Sequence, residues 1–468
     1  MSSIDPRRHT YTSSVVTIGL IPLFLMLGIF QGSVPEDVVE VRIEHGKFVP
    51  AFAHIPKRYR LRLTNKDGVP YTVEGAGALS GDVLVPPHQA CVVDLLHTAG
   101  RFQAIIEEVP TSELTLDMEG DPDRARLNRV VPFDEARKTG RQPLLFQPGL
   151  EPAYATYTAF DLKGHGEEAQ QSVLRDLYLI QEAMAGEKPP EEFRLLLTQE
   201  DWDNFRKSVS LVYALGPGAY SRERFGSRIA ACRPDELRPI PYAKELGVKA
   251  SGQYDVLVRI ASDRHWFNQR VARWIWHRLD KRISPPTMES GYANPNGRSP
   301  FLGGFYDGTG NPGEKERETT VFGSKKANGT YLAWFKINFD EESFRALPLA
   351  KQQGEIGRER EVGRPLPGAG EASHMNRAGA DPNTSILRQP FVFDEGPGKT
   401  GLLFASLQAS PRALDRLLHG FMLGSPNPKQ KRPRDSFLKY MSFQSSALYY
   451  VPSSPRGSFP GSLRFGGR

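Results

Sequence analysis

The spacing of hydrophobic and polar positions changes character along the chain, and each change marks a boundary. Apolar residues run almost unbroken from Val15 to Phe30 behind Arg7 and Arg8, the pattern of a membrane-directed segment. The run falls slightly short of the ~20 apolar residues of a full span, so an anchor and a cleaved signal both fit residues 1–34. No clear small-x-small cleavage site follows, which favours the anchor, and the basic flank on its N-terminal side predicts that the rest of the chain lies outside the cytoplasm, on the periplasmic or extracellular side. Short segments of strand character come next, at 38–43, 59–63, 83–85, 91–95 and 102–106, with Gly, Pro and Asn-Lys-Asp-Gly turns between them. That rhythm predicts a small antiparallel β-sandwich over residues 35–110. Residues 111–150 mix charges and proline with little periodicity and read as a linker.

A different grammar begins near residue 151. A strand is expected at 153–162, after which Val173, Leu174, Leu177, Ile180 and Met184 recur at helical spacing. Strands at 209–215 and 255–261 and an amphipathic helix at 266–279 complete one half; strands at 330–339, 391–393 and 401–408 and a helix at 412–422 repeat the scheme. Two β-α-β-like halves predict an α+β domain of paired antiparallel sheets covered by helices over residues 151–453. The Ser-, Pro-, Gly- and Arg-rich tail at 454–468 is expected to be disordered.

Composition removes several function classes. Lys plus Arg outnumber Asp plus Glu by 60 to 54, but the excess is dispersed, which argues against a nucleic-acid interface. The densest basic run, Lys429 to Arg434, is interrupted by proline and reads as a solvated loop. With only two cysteines, Cys91 and Cys232, far apart in sequence, there is no disulfide framework and no paired-cysteine zinc site. His45, His54, His88, His97 and Cys91 leave a metal site of another kind open but read first as scattered surface or turn residues, and His265, His277 and His419 on helices of the second domain read as packing or surface residues.

One stretch carries chemistry. In Gly304-Phe305-Tyr306-Asp307-Gly308-Thr309-Gly310-Asn311-Pro312 a carboxylate stands among residues with little side chain, where backbone can approach a flat ligand. Alone, an Asp-Gly pair is a turn. It is followed, however, by Ser373-His374-Met375-Asn376-Arg377 and then by Ile386-Leu387-Arg388.

This ordered set resembles the dye-decolourising (DyP-type) haem peroxidases, a family marked by a Gly-x-x-Asp-Gly motif, a lone proximal histidine and an arginine closing a short strand. The stretches LGPGAYSRERFG, YDVLVRIASD, NGTYLAWFKI, EIGREREVGRPL, GLLFASLQ and DSFLKYMSFQSSALYYVPS extend the resemblance over about residues 150–453. It implies a fold of tandem ferredoxin-like halves and heme b as cofactor, with His374 as the iron ligand. Asp435 then accepts from the histidine ring, or else caps the helix that follows it. Asp307 is expected to shuttle the proton of hydrogen peroxide and Arg388 to stabilise the developing anion. Gly308 and Thr309 are placed beside the cofactor, Arg377 at a propionate, and Leu402 and Phe404 either at the distal pocket or in ordinary strand core. Asn376 stands where many relatives have arginine, and Gln389-Pro390 where they often have a second arginine and a small or amide residue. An aspartate, with an ordinary pKa of about 3.9, stays ionised in acid, so an acidic working range is expected.

The EIGRE, GRPL and SH words are most similar to an exported group of this family associated with iron uptake. The sandwich words HGKFVP, LRLTNKDG, VPPHQA and HTAGRFQA resemble a cupredoxin domain found with bacterial iron-uptake proteins, although Tyr71 occupies the slot of a copper histidine and no cysteine follows Phe102. Arg7-Arg8 is similar to a twin-arginine export signal, with Thr10 and Tyr11 where that motif has apolar residues. The leading expectation is an exported peroxidase acting with hydrogen peroxide and an unidentified electron donor. The alternatives are a membrane-tethered haem or iron carrier of an iron-uptake system with weak or no peroxidase activity, and a copper-dependent electron-transfer protein; homo-oligomerisation stays open.

Overall fold

Alternating burial along the first strands builds a sandwich around its own core. The computed structural model describes residues 38–56, 59–74, 79, 83–93, 95, 100–119, 132–146, 152–293, 298–306, 311–312, 314–323, 329–360, 363–378, 386–396, 398–424 and 432–453. The apolar segment within 1–34 and the tail at 454–468 lie outside these residues, and among the described residues no helix is long and apolar enough to cross a membrane. Strands β1 (Val38–Glu44), β2 (Lys47–Val49), β3 (Phe52–Ile55), β4 (Arg60–Asn65), β5 (Tyr71–Glu74), β6 (Val83–Val85), β7 (Ala90–Val93), β8 (Gly100–Ile106) and β9 (Val109–Met118) form two sheets, ordered β2-β1-β4-β7 and β3-β9-β8-β5-β6. Val41, Ile43, Leu61, Leu63, Val73, Val85, Leu114 and Leu116 fill the space between them.

Two features depart from expectation. The sandwich is not wholly antiparallel: β1 pairs with β4, and β3 with β9, in parallel. The segment expected as a linker also opens inside β9, where Ser112, Leu114, Leu116 and Met118 point inward. Its alternation was obscured because one inward residue is a serine and the outward ones include Glu113 and Asp117.

The larger domain contains β10 (Tyr154–Phe160), β11 (Ser210–Leu215), β12 (Ala250–Ser251), β13 (Val256–Ser262), β14 (Thr287–Tyr292), the small hairpin β15 (Arg298–Ser299) and β16 (Phe305–Tyr306), β17 (Thr330–Phe339), β18 (Leu387–Asp394), β19 (Thr400–Gln408) and β20 (Met441–Val451). Its large sheet runs β11-β13-β10-β14 and continues β18-β19-β17-β20. Each half therefore has the strand order of a ferredoxin-like unit, second-third-first-fourth. The halves meet at Tyr292↔Val392 on one side and at Leu215↔Tyr450 on the other, so the sheet closes into a barrel and exposes few edges.

Closure gives the sheet two buried faces, which is why its strands read as nearly continuous apolar runs. Outside, Leu211, Tyr213, Val258 and Ile260 share a core with helices α1 (Glu167–Met184) and α2 (His265–Leu279) through Val173, Leu174, Leu177, Phe267, Val271 and Ile275. Inside lie Ala155, Tyr157, Leu257, Leu332, Trp334, Leu403, Leu407 and Tyr449. Leu144 and Phe146, from the end of the expected linker, join this interior. Gln142 secures them by donating to the carbonyls of Tyr213 (2.9 Å) and Pro452 (3.1 Å) and accepting from Tyr213 N–H (2.9 Å).

The sandwich meets the barrel domain at a turn closed by the bridge Arg358↔Pro365. Arg364 pairs with Glu113 of β9 and with Glu359 (2.6 Å), and Arg358 Nη2 lies 3.8 Å from Glu74 of β5. This turn leads directly into the segment that carries His374.

Candidate functional site

His374 opens a short helix, α3 (His374–Ala378), and three connections fix what lies beside it. The helix Leu349–Ile356 ends at Gly357, whose φ of +88° and lack of a Cβ let it sit against Ser373; a Cβ there would come within 2.9 Å of Ser373 Oγ. Ser436 N–H donates to the Ala372 carbonyl (2.8 Å), and Asp435 N–H to that of Met422 (2.8 Å). These bonds hold Asp435 next to the imidazole.

His374 Nδ1 lies 2.7 Å from Asp435 Oδ2, and the Asp435 side chain is completely shielded from solvent. An ionised carboxylate only accepts, so the ring donates through Nδ1 and Nε2 is the atom that would hold iron. The other oxygen, Oδ1, accepts from Phe437 N–H (2.9 Å) and caps the 3-10 helix Ser436–Tyr440. The two roles open for Asp435 on sequence are thus filled together, one by each oxygen. The Phe437 ring, 5.3 Å from the imidazole, packs beside it.

Arg388 lies on β18 with its backbone clasped by one side chain. Arg388 N–H donates to Asn311 Oδ1 (2.8 Å) and Asn311 Nδ2 donates to the Arg388 carbonyl (3.0 Å), so the amide acts as a short piece of neighbouring strand. The guanidinium Nη2 donates to the carbonyl of Ala378, the last residue of α3 (3.3 Å). Arg388 therefore joins the end of the Gly-rich motif to the His374 helix. Asp307, Gly308 and Thr309 themselves lie outside the described residues.

Register shows what shares Arg388's face. Arg388 is opposite Ser406, Pro390 opposite Phe404, and Val392 opposite Leu402. Leu402 is buried and Phe404 half-buried against Phe335, with ring centroids 6.0 Å apart. Ser406 Oγ is buried without a hydrogen-bond partner. A cation, an unsatisfied hydroxyl and an apolar wall on one surface, with an imidazole oriented by a buried carboxylate nearby, fit a flat apolar cofactor with a polar reacting face.

The departures from the family's usual residues take structural parts. Gln389 points to the barrel interior, donating to the Leu144 carbonyl (3.3 Å), so it does not share Arg388's face. Asn376 donates to the carbonyls of Ala369 (3.3 Å) and Gly370 (3.1 Å). Arg377 is buried, with Nη1 3.8 Å from Glu371 Oε1, and burial pushes its guanidinium below the usual arginine range. Among residues that carry the site, Asn311 and Ser406 were given no role on sequence. Asn311 had a signal in the Asn-Pro pair closing the motif, whereas Ser406 is visible only once β18 and β19 are in register.

The remaining histidines fall elsewhere. His45 and His88 sit in turns at positive φ, and exposed His54 pairs with Asp117 (3.1 Å) and Glu119 (3.3 Å). His419 lies 3.3 Å from Glu245, and His265 stacks near Tyr154. Among the described residues no group of three or more His, Cys, Asp or Glu is arranged to hold a metal ion; His97 lies outside them.

Comparison with known proteins gives the family of the larger domain. The sequence matches the Dyp-type peroxidase N-terminal domain over residues 151–293 and the C-terminal domain over residues 300–456. The chain belongs to the Dyp-type peroxidase family, whose members bind haem. It is similar to a dye-decolorizing peroxidase from Brevibacterium linens, 26% identical over 235 residues, covering 48% of this chain and 62% of that protein's length. Its fold is similar to a DyP-type peroxidase from Streptomyces coelicolor (TM-score 0.54, 21% identity, 68% of this chain and 93% of the other). It is likewise similar to a Rhodococcus jostii DypB variant solved in complex with heme (TM-score 0.52, 19% identity, 65% of this chain and 94% of the other).

Proposed function

We propose that this protein is a haem-dependent peroxidase that uses hydrogen peroxide to oxidise an electron donor. The observation that carries the reading is the 2.7 Å contact between His374 Nδ1 and the buried Asp435 carboxylate, which sets the ring's orientation and tautomer for a metal at Nε2. Held by His374, heme b would supply the redox chemistry, taking electrons from the donor and passing them to peroxide.

Around that group this chain's residues have separate tasks. Asp435 accepts from the His374 ring and raises its basicity. Asp307 takes the proton from one peroxide oxygen and returns it to the other. Arg388, permanently cationic, stabilises the negative charge that develops as the bond breaks. Leu402 and Phe404 would keep water from this face, Gly308 and Thr309 are assigned to cofactor binding, and Arg377 would pair with a propionate.

The reading extends to location and partners. Residues 1–34 are taken as an anchor or export segment, the sandwich as a cupredoxin-like module, and the whole as part of an exported iron-uptake system. The ion pairs of Arg358 and Arg364 with the sandwich support the two domains working as one unit. Peroxide-dependent bleaching of a dye by the haem-loaded full chain tests the activity. Turnover that disappears in Arg388→Leu and Asp307→Asn is the expected result, and haem binding without turnover in the unaltered chain supports a carrier instead.

A further inference from the structure

Arg259 lies at the centre of β13, between Leu257 and Ala261 on the face that looks into the barrel, and is 1% exposed. In register it sits between Val212 of β11 and Tyr157 of β10. Its same-face neighbours one step further along include Ala155, Ala159, Ala214 and Ala261, all small. The ring of Phe146 lies 5.6 Å from its guanidinium. This is the side of the sheet opposite the Arg388 face.

The guanidinium has no counter-charge: Nε and Nη1 are buried without hydrogen-bond partners. Two more orphaned donors face the same interior, Tyr157 Oη and Trp334 Nε1, on rings whose centroids are 6.1 Å apart. A second cation on this face, Lys336, already has Glu289 (2.7 Å) and Glu395 (2.8 Å). Among the described residues no carboxylate pairs with Arg259. Burial pushes the Tyr157 phenol up to about 12, so it is neutral and able to donate.

An arginine stays protonated in proteins, and leaving it buried and unpaired costs several kcal/mol. Each orphaned donor adds the cost of a polar group taken out of water without a partner. Guanidinium and indole N–H groups donate and cannot accept. We propose that the barrel interior holds a small inorganic anion, of halide or nitrate size, between Arg259, Tyr157 and Trp334. The low exposure of all three, 1%, 1% and 6%, limits the ligand to an ion and excludes an organic substrate. The anion neutralises the charge and ties β13, β10 and β17 together across both halves of the barrel. This site is independent of the peroxidase reading.

Two measurements on the full chain decide it. The first is thermal unfolding at constant ionic strength with bromide replacing gluconate. Above saturation Tm should rise by roughly 2 °C for each tenfold increase in bromide. The dependence should vanish in Arg259→Met and weaken in Trp334→Phe, which keeps the ring and removes the donor if the arginine variant does not fold. The second is anomalous diffraction from crystals grown in bromide, expected to show a peak within hydrogen-bond distance of Arg259 Nη1. A Tm indifferent to bromide, an equal response in the variants, or density for water alone at Arg259 overturns the proposal.

Discussion

The imidazole of His374 and the carboxylate of Asp435 are joined at 2.7 Å although sixty-one positions separate them in the chain. Because the second carboxylate oxygen caps the next helix, substitutions at 435 separate the two tasks. Asp435→Asn retains a good capping side chain and should leave Tm near the wild-type value. It removes the charge behind the ring, and iron-ligand partners of this kind are worth about 10–100-fold in affinity or activity. Asp435→Ala should lose both, with about 1 kcal/mol of stability for the cap. Equal activity in all three proteins, measured as peroxide turnover after haem loading, contradicts the assignment.

Asn311 acts through Arg388, whose strand it holds by two hydrogen bonds. Arg388→Leu should slow reaction with peroxide by about 10²–10³-fold. Asn311→Ala should slow it less, by displacing the arginine, while leaving haem affinity unchanged. Asn311→Asp keeps one acceptor and loses one donor, and should fall between. A kcat/KM for peroxide unaffected in Asn311→Ala shows that the clasp is structural only.

The proton-transfer role proposed for Asp307 would set the pH range. An ordinary aspartate titrates near 3.9, so peroxide turnover should persist well below neutrality and fall only as that carboxylate protonates. In Asp307→Asn the acidic limb should disappear along with most of the rate. A profile in which the wild type is inactive below pH 7 is incompatible with this role.

In the sandwich, Asp67 accepts from His45 N–H (2.9 Å), Gly46 N–H (2.8 Å) and Tyr71 O–H (3.0 Å), and the two backbone donors hold its carboxyl below the ordinary value of 3.8. A depressed folded pKa means stability that is present above pH 3.8 and lost as pH falls through the lower folded value. Asp67→Ala should therefore lower Tm at neutral pH by an amount that shrinks in acid. A difference that stays constant down to pH 2 would falsify the linkage.

Much of this architecture is legible in the sequence where burial and propensity agree. β17 is a ten-residue run in which all but Lys336 and Asn338 are apolar, aromatic or β-branched, and the structure gives it the limits expected. β18 extends well beyond the expected 391–393 because Pro390 interrupts the pattern; its sole register partner in β14 is Val392, so the missing N–H is tolerated there. β14, with Glu289, Ser290 and Gly291 in its middle, carries too little apolar signal to be seen as a strand. At the site, His374 and Arg388 stand out by motif, whereas the joining of Asn311 to Arg388 and of Ser406 to the same face depends on pairings between distant segments that no local pattern encodes.

The most direct measurement is the optical spectrum of the full chain titrated with heme b. A saturable, intense Soret band is predicted for the wild type, lost or shifted with greatly weakened affinity in His374→Ala and partly restored by added imidazole. An identical band and affinity in His374→Ala contradicts the account.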